Sequence, residues 1–574
     1  MKLVPGGSAS ALAIALAIGL LFPISRLTNP VFAQTVDAAG APSQTESMRA
    51  APAEPTLAMR AGERAQVLGK AAAHTDDLAA IKAYYAANPD KPLWIEAAAL
   101  SRRARAAIDE IGKADDWGLK ASNFDLPKLA SSDLNALADA EAQLSLAVLK
   151  YARHARGGRI DPSHLTDAID RTANLVSPAK VLTDIAAAAS TDDYLRQLHP
   201  KHPHFERLRQ LYLSLRAGKV EPPSPPVVAE AAEEETAGRR PGKKKKKVAA
   251  PAAPPPVTAE RVLFNMEQWR WMPDDLGHLH VMVNIPEFQL RMMKDGKPIH
   301  VERVVTGSVA NQTPIFSKKM ETVVFQPGWG VPPSIKVKEL LPGLLAGRDP
   351  VGSRGWRMSY RGREVSASSI NWRAVDIRKV SIVQPPGPSN ALGMVKFLFP
   401  NKHDVYLHDT PSKALFNAEM RAFSHGCVRV RNPMRFAEMI FAETGGWSPT
   451  RVASLARGKP ENQVPVPGEI GVHITYFTIV VDDDGKIQSY RDVYGHEARL
   501  HGALDGRLSH VARKTQDLNS VRTSLIGRAP ARRVASSYDD DDGPRARGSS
   551  GRSRGAAGRP VNRSGGGGFF WFTN

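Results

Sequence analysis

The stretch FSHGCVR at residues 423–429 surrounds Cys427, the one cysteine in this chain of 574 residues. A single thiol cannot form an internal disulfide, and it excludes a zinc site built from two or four cysteines. A nucleophilic thiol needs thiolate character, a base, and donors for the oxyanion that forms when it attacks a carbonyl. The neighbourhood of Cys427 is therefore the first place to look for these three elements.

Two of the three are present in the neighbouring sequence. Arg429 and Arg421 supply positive charge, which lowers the pKa of a nearby thiol. Gly426 lets the backbone approach a substrate closely, so the amides around Cys427 can serve as an oxyanion hole. The alternative for Arg429 is a structural ion pair.

Two histidines compete for the role of the base. His425 lies two residues before Cys427, and His408 lies 19 residues upstream, at the end of the short strand pattern of residues 405–407. Spacing alone is equally compatible with two roles of His408, that of the base and that of a structural histidine at a strand edge. A lone cysteine is also commonly a small buried hydrophobic residue.

The N-terminus predicts export. Lys2 precedes an apolar run of 14 residues, 9–22, which is too short for a membrane span, and Val31-Phe32-Ala33 offers a cleavage site. We predict a signal peptide at 1–33, and the alternative is an uncleaved anchor; in both cases the body of the protein lies outside the cytoplasm. An unpaired thiol kept outside the cytoplasm is exposed to oxidation, which favours a chemical role for Cys427.

Charge and composition indicate three unstructured segments. The chain has 77 Lys and Arg against 58 Asp and Glu, a net charge of +19. We predict a disordered leader at 34–74, a Pro/Lys-rich linker at 218–257 and a basic Gly/Arg-rich disordered tail at 498–574. The basic linker and tail could bind an anionic wall or membrane surface. The alternative is that their charge serves only solubility and spacing. Nucleic acid is not an expected partner, because no basic groove interleaved with aromatic residues is evident.

Two folded regions remain, and their periodicities differ. Residues 75–217 carry apolar positions three and four apart and predict a helical domain. Residues 258–497 are predicted to be mainly β. There, 279–285 alternate as a half-buried strand, and Asp295-Gly296 predicts a hairpin turn. Residues 433–443 predict one helix that begins at a proline.

At this point the sequence resembles a known family. YLHDTP at 406–411, followed by SHGCVR at 424–429, resembles the L,D-transpeptidase catalytic domain of the YkuD type. Further segments resemble the large periplasmic members of the YcbB type: 265–271, 313–316, 329–335 and 390–393, with a weaker match of 158–162 to their scaffold domain. The resemblance implies an α+β multidomain protein, with an α-helical scaffold domain and a mainly β L,D-transpeptidase catalytic domain.

The resemblance also implies a reaction. Cys427 would attack the carbonyl of the third residue of a peptidoglycan tetrapeptide stem, and a diamino acid of a second stem would accept the acyl group, giving a 3→3 cross-link. His408 matches the catalytic histidine, a proton donor and acceptor. The resemblance assigns Ser424, His425 and Gly426 to the support of the nucleophile or the oxyanion. It assigns Arg429, Arg421 and Thr410 to substrate binding. No metal and no cofactor are expected, and carbapenems should acylate the thiol.

The sequence departs from the family pattern in one respect. Members of this type carry a small peptidoglycan-binding domain between scaffold and catalytic parts, and here only the linker occupies that place. Residues 346–388 would correspond to the lid over the active site. Two other functions stay open: an L,D-carboxypeptidase or endopeptidase that uses the same site, and a non-catalytic wall-binding scaffold.

Overall fold

Helices fill the N-terminal part of the described chain, and strands fill most of the rest. The computed structural model describes residues 54–69, 74–129, 131–219, 255–507 and 517–529. The predicted signal peptide lies outside these residues, as do most of the leader, linker and tail. No helix among the described residues is long and apolar enough to cross a membrane.

The scaffold is a set of helices packed around one long central helix. Its elements are α1 (Leu57–Leu68), α2 (Thr75–Ala87), β1 (Ile95–Glu96), β2 (Ala99–Leu100), α3 (Arg102–Gly112), α4 (Leu134–Gly157), α5 (Pro178–Ala187), α6 (Thr191–Gln197) and α7 (Pro203–Arg216). Helix α4 is 24 residues long; it begins where the Asp133 carboxylate accepts the amides of Asn135 and Ala136. It ends at Gly158, whose φ of 83° a glycine adopts without strain.

Helix α1 corrects the predicted disorder for the described residues 54–69 of the leader. Its small residues Ala58, Ala61 and Ala65 are completely buried, and the helix packs on α2 and α4. The Ala-rich composition resembled that of an unstructured segment, but short side chains let two helices approach closely and bury their backbones. A composition rule does not detect such a helix, because its apolar surface is small.

The predicted catalytic region opens with a helix and continues mostly as strands. In chain order its elements are α8 (Ala259–Arg270), β3 (Leu279–Asn284), β4 (Gln289–Lys294), β5 (Lys297–Gly307), β6 (Ser317–Lys319), β7 (Thr322–Phe325), β8 (Trp329–Gly330), α9 (Pro333–Ile335), α10 (Leu341–Leu345), β9 (Arg357–Tyr360), β10 (Arg363–Glu364), β11 (Ser381–Gln384), β12 (Val395–Leu398), β13 (Leu407–His408), β14 (Ala422–Ser424), β15 (Val428–Val430), α11 (Pro433–Gly445), α12 (Pro449–Arg457), β16 (Asn462–Pro465), β17 (Gly471–Thr475), β18 (Ile479–Val481), β19 (Ile487–Ser489), α13 (His496–Leu504) and α14 (Leu518–Arg528). A π-helical turn, Lys336–Leu340, joins α9 to α10.

An 11-stranded sheet forms the frame of this region. Its strands run in the order β16-β7-β12-β13-β15-β5-β4-β3-β17-β6, and β14 pairs with β5 beside this path. The predicted turn at Asp295-Gly296 is confirmed between β4 and β5, and both residues have positive φ. Helix α11 begins at Pro433 as predicted and packs against the core of the sheet through Phe436 and Ile440.

Strand β3 is confirmed, but the expected exposure of one of its faces is wrong. Val281 and Val283 are completely buried in the core of the sheet. On the other face His280 and Asn284 are also buried, and Met282 packs against a second cluster, which contains residues of α7 and α8. The helices that precede the sheet in the chain therefore cover the face that the alternation had assigned to solvent.

Residues 329–392, here called the cap, form a smaller unit with a core of their own. The cap contains the four-stranded sheet β10-β9-β11-β8 and a separate cluster of buried apolar residues. The predicted lid, 346–388, is thus part of a larger folded unit. Helix α14 packs on the cap through Val521 and Leu525, and Arg373 donates to the carbonyls of Ile526 and Ala529.

Helices α13 and α14 correct the predicted disorder for the described part of the tail, residues 498–507 and 517–529. Leu500 of α13 is completely buried in the core of the large sheet, and α14 packs on the cap. The fold class itself is confirmed: a helical scaffold region precedes a mainly β catalytic region.

The scaffold and the catalytic region share an apolar and aromatic junction. Phe205 of α7 and Trp269 of α8 lie in one buried cluster with Phe477, and the rings of Trp269 and Phe477 stack with centroids 4.8 Å apart. Arg270 is buried there and donates to the carbonyls of Trp117 and Ala155. The two regions are therefore packed as one structure.

Candidate active site

Two short parallel strands place the central side chains of the site. Leu407 of β13 lies opposite Val428 of β15, and His408 lies opposite Arg429. Leu407 and Val428 are completely buried in the core of the sheet. Because side chains alternate along a strand, His408 and Arg429 lie on the other face, and extending the same register brings Cys427 to that face.

The loop before Cys427 is shaped by Ser424 and Gly426. Ser424 Oγ donates to the carbonyl of Cys427 at 2.5 Å and accepts the amide of Gly426 at 3.1 Å. Gly426 has a φ of 118°, which side-chain-bearing residues rarely adopt, and its carbonyl accepts the hydroxyl of Thr313 at 2.8 Å. Ser424 and Gly426 therefore fix the conformation from which Cys427 projects.

The Cys427 thiol is neutral at pH 7. Its sulfur lies 3.7 Å from the carbonyl oxygen of Asp404, to which the S–H donates. Burial raises the pKa of Cys427 to about 11, although hydrogen bonds from Tyr406 and the charge of Arg429 act in the opposite direction. The thiol therefore needs a base to remove its proton during attack on a carbonyl.

His408 is a buried neutral imidazole. Its Nδ1 contacts the carbonyl oxygen of Asp409, and because a carbonyl only accepts, Nδ1 carries the proton and Nε2 is the basic nitrogen. Burial lowers the pKa of His408 to about 3, and the charges of Arg429 and Lys396 act in the same direction. His408 is therefore in the proton-accepting form at neutral pH.

Arg429 brings an uncompensated positive charge to the same face. Its Nε is buried and has no hydrogen-bond partner within the described ranges of the chain. Burial lowers the pKa of Arg429, and a thiolate at Cys427 would oppose the shift. A partly buried cation without a carboxylate partner among the described residues is costly, so the charge of Arg429 is available to an anionic ligand.

Tyr406 belongs to the site although we did not predict a role for it. Its ring packs edge-on against His408 with centroids 5.7 Å apart. Burial raises the pKa of Tyr406, and a thiolate at Cys427 would raise it further. The alternation of β13 could have revealed it, since Tyr406 and His408 are two residues apart and share a face.

The structure places Arg421 away from this face. Its guanidinium donates to the carbonyls of Val304, Phe288 and Ala418, and the residue is buried. It also stacks over the ring of Phe288 at 5.3 Å. These contacts occupy its donors and give Arg421 a structural role, and the predicted substrate contact of Arg421 stays a prediction.

His425 and Thr410 also lie in other surroundings. His425 is exposed, and its Nε2 lies 3.0 Å from Oε1 of Glu339, so it links the nucleophile loop to the cap. Thr410 is buried; its Oγ1 accepts the amide of Ser412, and its own amide donates to Asp409. Thr410 therefore stabilises the turn after His408.

Among the described residues, no group of three or more His, Cys, Asp or Glu side chains is placed to hold a metal ion. The site is thus a thiol, an imidazole, a phenol and a guanidinium on one face of the sheet. This set can take a proton from sulfur, attack a carbonyl and bind an anionic group.

Two family models match the chain. Residues 79–211 match the model described as a scaffold domain, and residues 278–444 match that of the L,D-transpeptidase catalytic domain, called YkuD. The second match contains both His408 and Cys427.

The chain is also similar to known proteins. It is 30% identical over 244 residues to a Haemophilus influenzae protein described as "Putative L,D-transpeptidase". The aligned residues make up 42% of this chain and 49% of that relative. The chain thus matches about half the length of that curated relative. A solved structure of an L,D-transpeptidase from Mycobacterium smegmatis is also similar, with 10% identity and a TM-score of 0.16. The match covers 34% of this chain and 58% of the chain in that structure. A TM-score that low supports no statement about the fold.

Proposed function

Since the chain carries an L,D-transpeptidase catalytic domain behind a scaffold domain, we propose that it forms 3→3 cross-links in peptidoglycan through a cysteine acyl-enzyme. The observation that carries this proposal is the placement of Cys427, His408 and Arg429 on one face of the paired strands β13 and β15. It is supported by the neutral state of both the thiol and the imidazole.

Acylation begins with transfer of the thiol proton to Nε2 of His408. The sulfur of Cys427 forms a bond to the carbonyl carbon of the third residue of a tetrapeptide stem, and the amide bond to the terminal D-alanine breaks. His408 returns the proton to the departing amine, which leaves a thioester on Cys427. Because the resting pair is uncharged, His408 acts as a general base during attack, not as the partner of a preformed thiolate.

The second half of the reaction resolves the thioester. The side-chain amine of a diamino acid on a second stem attacks the same carbonyl carbon, and His408 accepts a proton from this amine. The carbon–sulfur bond breaks, and the proton returns to sulfur. The product is an amide between two third-position residues, and Cys427 is regenerated as a thiol.

Arg429 and the loop around Gly426 supply binding and stabilisation. We assign Arg429 to a carboxylate of the stem peptide, because its Nε is buried without a hydrogen-bond partner among the described residues and its charge acts on the thiol of Cys427. Amides next to Gly426 stabilise the oxyanion, and Ser424 holds them in place through its two hydrogen bonds. His425 acts through its contact with Glu339 of the cap, which we propose closes over the bound stem as a lid.

The remaining parts of the chain suit a protein of the cell wall. We propose that residues 1–33 direct export to the periplasm and that the basic linker and tail contact an anionic wall or membrane surface. Stem peptides serve as donor and acceptor, and the site needs neither a metal nor an organic cofactor. Carbapenems should acylate Cys427, since their strained amide presents a carbonyl to the same thiol.

The reaction is tested by incubating the purified protein with disaccharide-tetrapeptide and analysing the products by mass spectrometry. Dimers of the mass expected after loss of one D-alanine, absent with Cys427→Ala, support transfer. Tripeptide without dimers identifies the hydrolase instead, since water then replaces the acceptor amine. No reaction by the folded protein favours a wall-binding scaffold.

A further inference from the structure

A short segment of the scaffold, residues 166–171, packs against the catalytic sheet and contacts two of its loops. It lies inside the range that matches the scaffold domain, between helices α4 and α5. Ile169 is buried in the core of the catalytic sheet, not in that of the scaffold helices. The segment is thus a direct physical connection between the two regions.

Asp170 contacts the loop that ends at the catalytic strand β13. Its Oδ1 accepts Nζ of Lys402 at 2.7 Å, and its Oδ2 lies 2.9 Å from Nε2 of His403. Burial opposes the charge of Asp170, but the hydrogen bonds from Lys402 and His403 outweigh it and lower the pKa of Asp170. Asp170 is therefore a carboxylate with two partners on a loop of the other region.

The next residue of that loop touches the nucleophile. Asp404 has a positive φ of 53°, which is unusual for a residue with a side chain, and its carbonyl oxygen accepts the thiol of Cys427. The loop is also held by Asn401, whose Oδ1 accepts the amides of His403 and Val405. A strained backbone persists only where its surroundings fix it, and Asp170 supplies two of the fixing contacts.

A second connection runs from the same segment to Gly426. Ile169 pairs in parallel with Ile315, with hydrogen bonds of 2.9 Å from the Asp170 amide and 2.7 Å to the Ala168 carbonyl. Two residues earlier, Thr313 donates its hydroxyl to the carbonyl of Gly426. The scaffold thereby supports both backbone groups that flank Cys427, the Asp404 carbonyl and the Gly426 carbonyl.

We propose that Asp170 is a positioning residue of the scaffold, which holds the Asp404 carbonyl against the thiol of Cys427 through Lys402 and His403. The inference rests on the proposed function only in taking Cys427 as the nucleophile. A scaffold that fixes the thiol in this way makes the catalytic region dependent on it for the geometry and protonation of its nucleophile.

The test compares Asp170→Asn with wild type and with Asp184→Asn in the full-length protein. Asp184 is the matched control, because it pairs with Lys180 on the scaffold surface. The thiol is alkylated with iodoacetamide across a pH series, and acylation by a carbapenem is timed at pH 7. Alkylation needs only a thiol, so its outcome is separate from whether the protein is a transpeptidase.

We expect Asp170→Asn to lower the pH midpoint of alkylation by about 0.5 unit or more, because a weakened S–H contact with Asp404 no longer favours the neutral thiol. Acylation should slow at least fivefold, and Asp184→Asn should match wild type in both measurements. A loss of thermal stability without a shifted midpoint would indicate a merely structural residue and overturn the proposal, as would an unchanged midpoint and rate.

His403→Ala removes the partner of Asp170 in the catalytic region. This variant replaces Asp170→Asn in the test if Asp170→Asn folds poorly. It should shift the midpoint in the same direction. The double variant should shift it no further than the larger single shift, because both changes break one chain of contacts. Additive shifts would show that the two residues act independently and contradict the proposal.

Discussion

The main-chain carbonyl of Asp409 accepts the Nδ1–H of His408, so the neighbour of the base in sequence also fixes its tautomer. The carboxylate of Asp409 is in turn held by the amides of Met394 and Thr410 and by Nζ of Lys413. This second layer of contacts keeps Nε2 of His408 free to accept a proton, and the pH behaviour of the site follows from it.

Replacing His408 with Ala should change the pH dependence of acylation. In wild type the rate should be nearly constant from about pH 5 to 9, because the pKa of His408 is about 3 and that of Cys427 about 11. His408→Ala should react about 10²-fold to 10⁴-fold more slowly at pH 7 and gain about tenfold per pH unit, because only the thiolate reacts. Stopped-flow acylation by a carbapenem measures this, with His425→Ala as the control that keeps the wild-type profile. A flat profile in His408→Ala would exclude His408 as the base.

Arg429 should act through its charge. Because this charge lowers the pKa of Cys427, Arg429→Gln should raise the pH midpoint of thiol alkylation, whereas Arg429→Lys should largely preserve it. The KM for the tetrapeptide donor should rise about tenfold in Arg429→Gln, since one carboxylate contact is lost. If the Gln and Lys variants have equal midpoints and KM values, the positive charge is not what the site uses.

Gly426 should not tolerate a side chain. Its φ of 118° makes an alanine costly by about 1–3 kcal/mol whatever space surrounds it, so Gly426→Ala should lower the melting temperature and slow acylation. The matched change Gly112→Ala, at the end of α3, meets nothing within 4 Å and has no positive φ. It should leave both quantities unchanged or slightly raise stability. Equal effects at the two positions would refute the conformational argument.

The junction between scaffold and catalytic region should be sensitive to acid. His202 stacks on Trp269 at 4.1 Å, and His204 lies edge-on to the same ring. Burial lowers the pKa of His202 to about 4 and that of His204 to about 3. Between these values and 6.5 the unfolded chain binds more protons than the folded one, so stability is lost as the pH falls through this window.

The melting temperature of wild type should accordingly fall between pH 6.5 and 4.5, and it should fall less in His204→Gln, which cannot be protonated. Differential scanning calorimetry at a series of pH values measures both. An equal decline in the two proteins would show that other groups set the acid sensitivity.

The sequence predicted the elements whose structure depends mainly on residues close together in the chain. The strand pattern of 405–407, the turn at Asp295-Gly296 and the proline at the start of α11 are short-range patterns. A strand, a hairpin and a helix are present at these places. The face shared by His408 and Cys427 follows from the pairing of β13 with β15, which a resemblance to a family implies but spacing alone does not.

Contacts between distant segments were not predictable in this way. Arg421 was assigned to the site because it lies near Cys427 in the chain, but its donors are taken by carbonyls more than 100 residues away, at Phe288 and Val304. The burial of both faces of β3 and the contact between Asp170 and His403 likewise depend on how the scaffold packs on the sheet. Helix α1 escaped detection because its buried side chains are alanines.

The central claim, a thioester on Cys427, is tested most directly by quenching the protein with acid seconds after it is mixed with disaccharide-tetrapeptide alone, followed by intact and peptide-mapped mass spectrometry. We predict a mass gain equal to the donor minus D-alanine, located on the peptide that contains Cys427 and absent in Cys427→Ala. Dimer formation that persists in Cys427→Ala, or an acyl group mapped to another residue, would contradict the account.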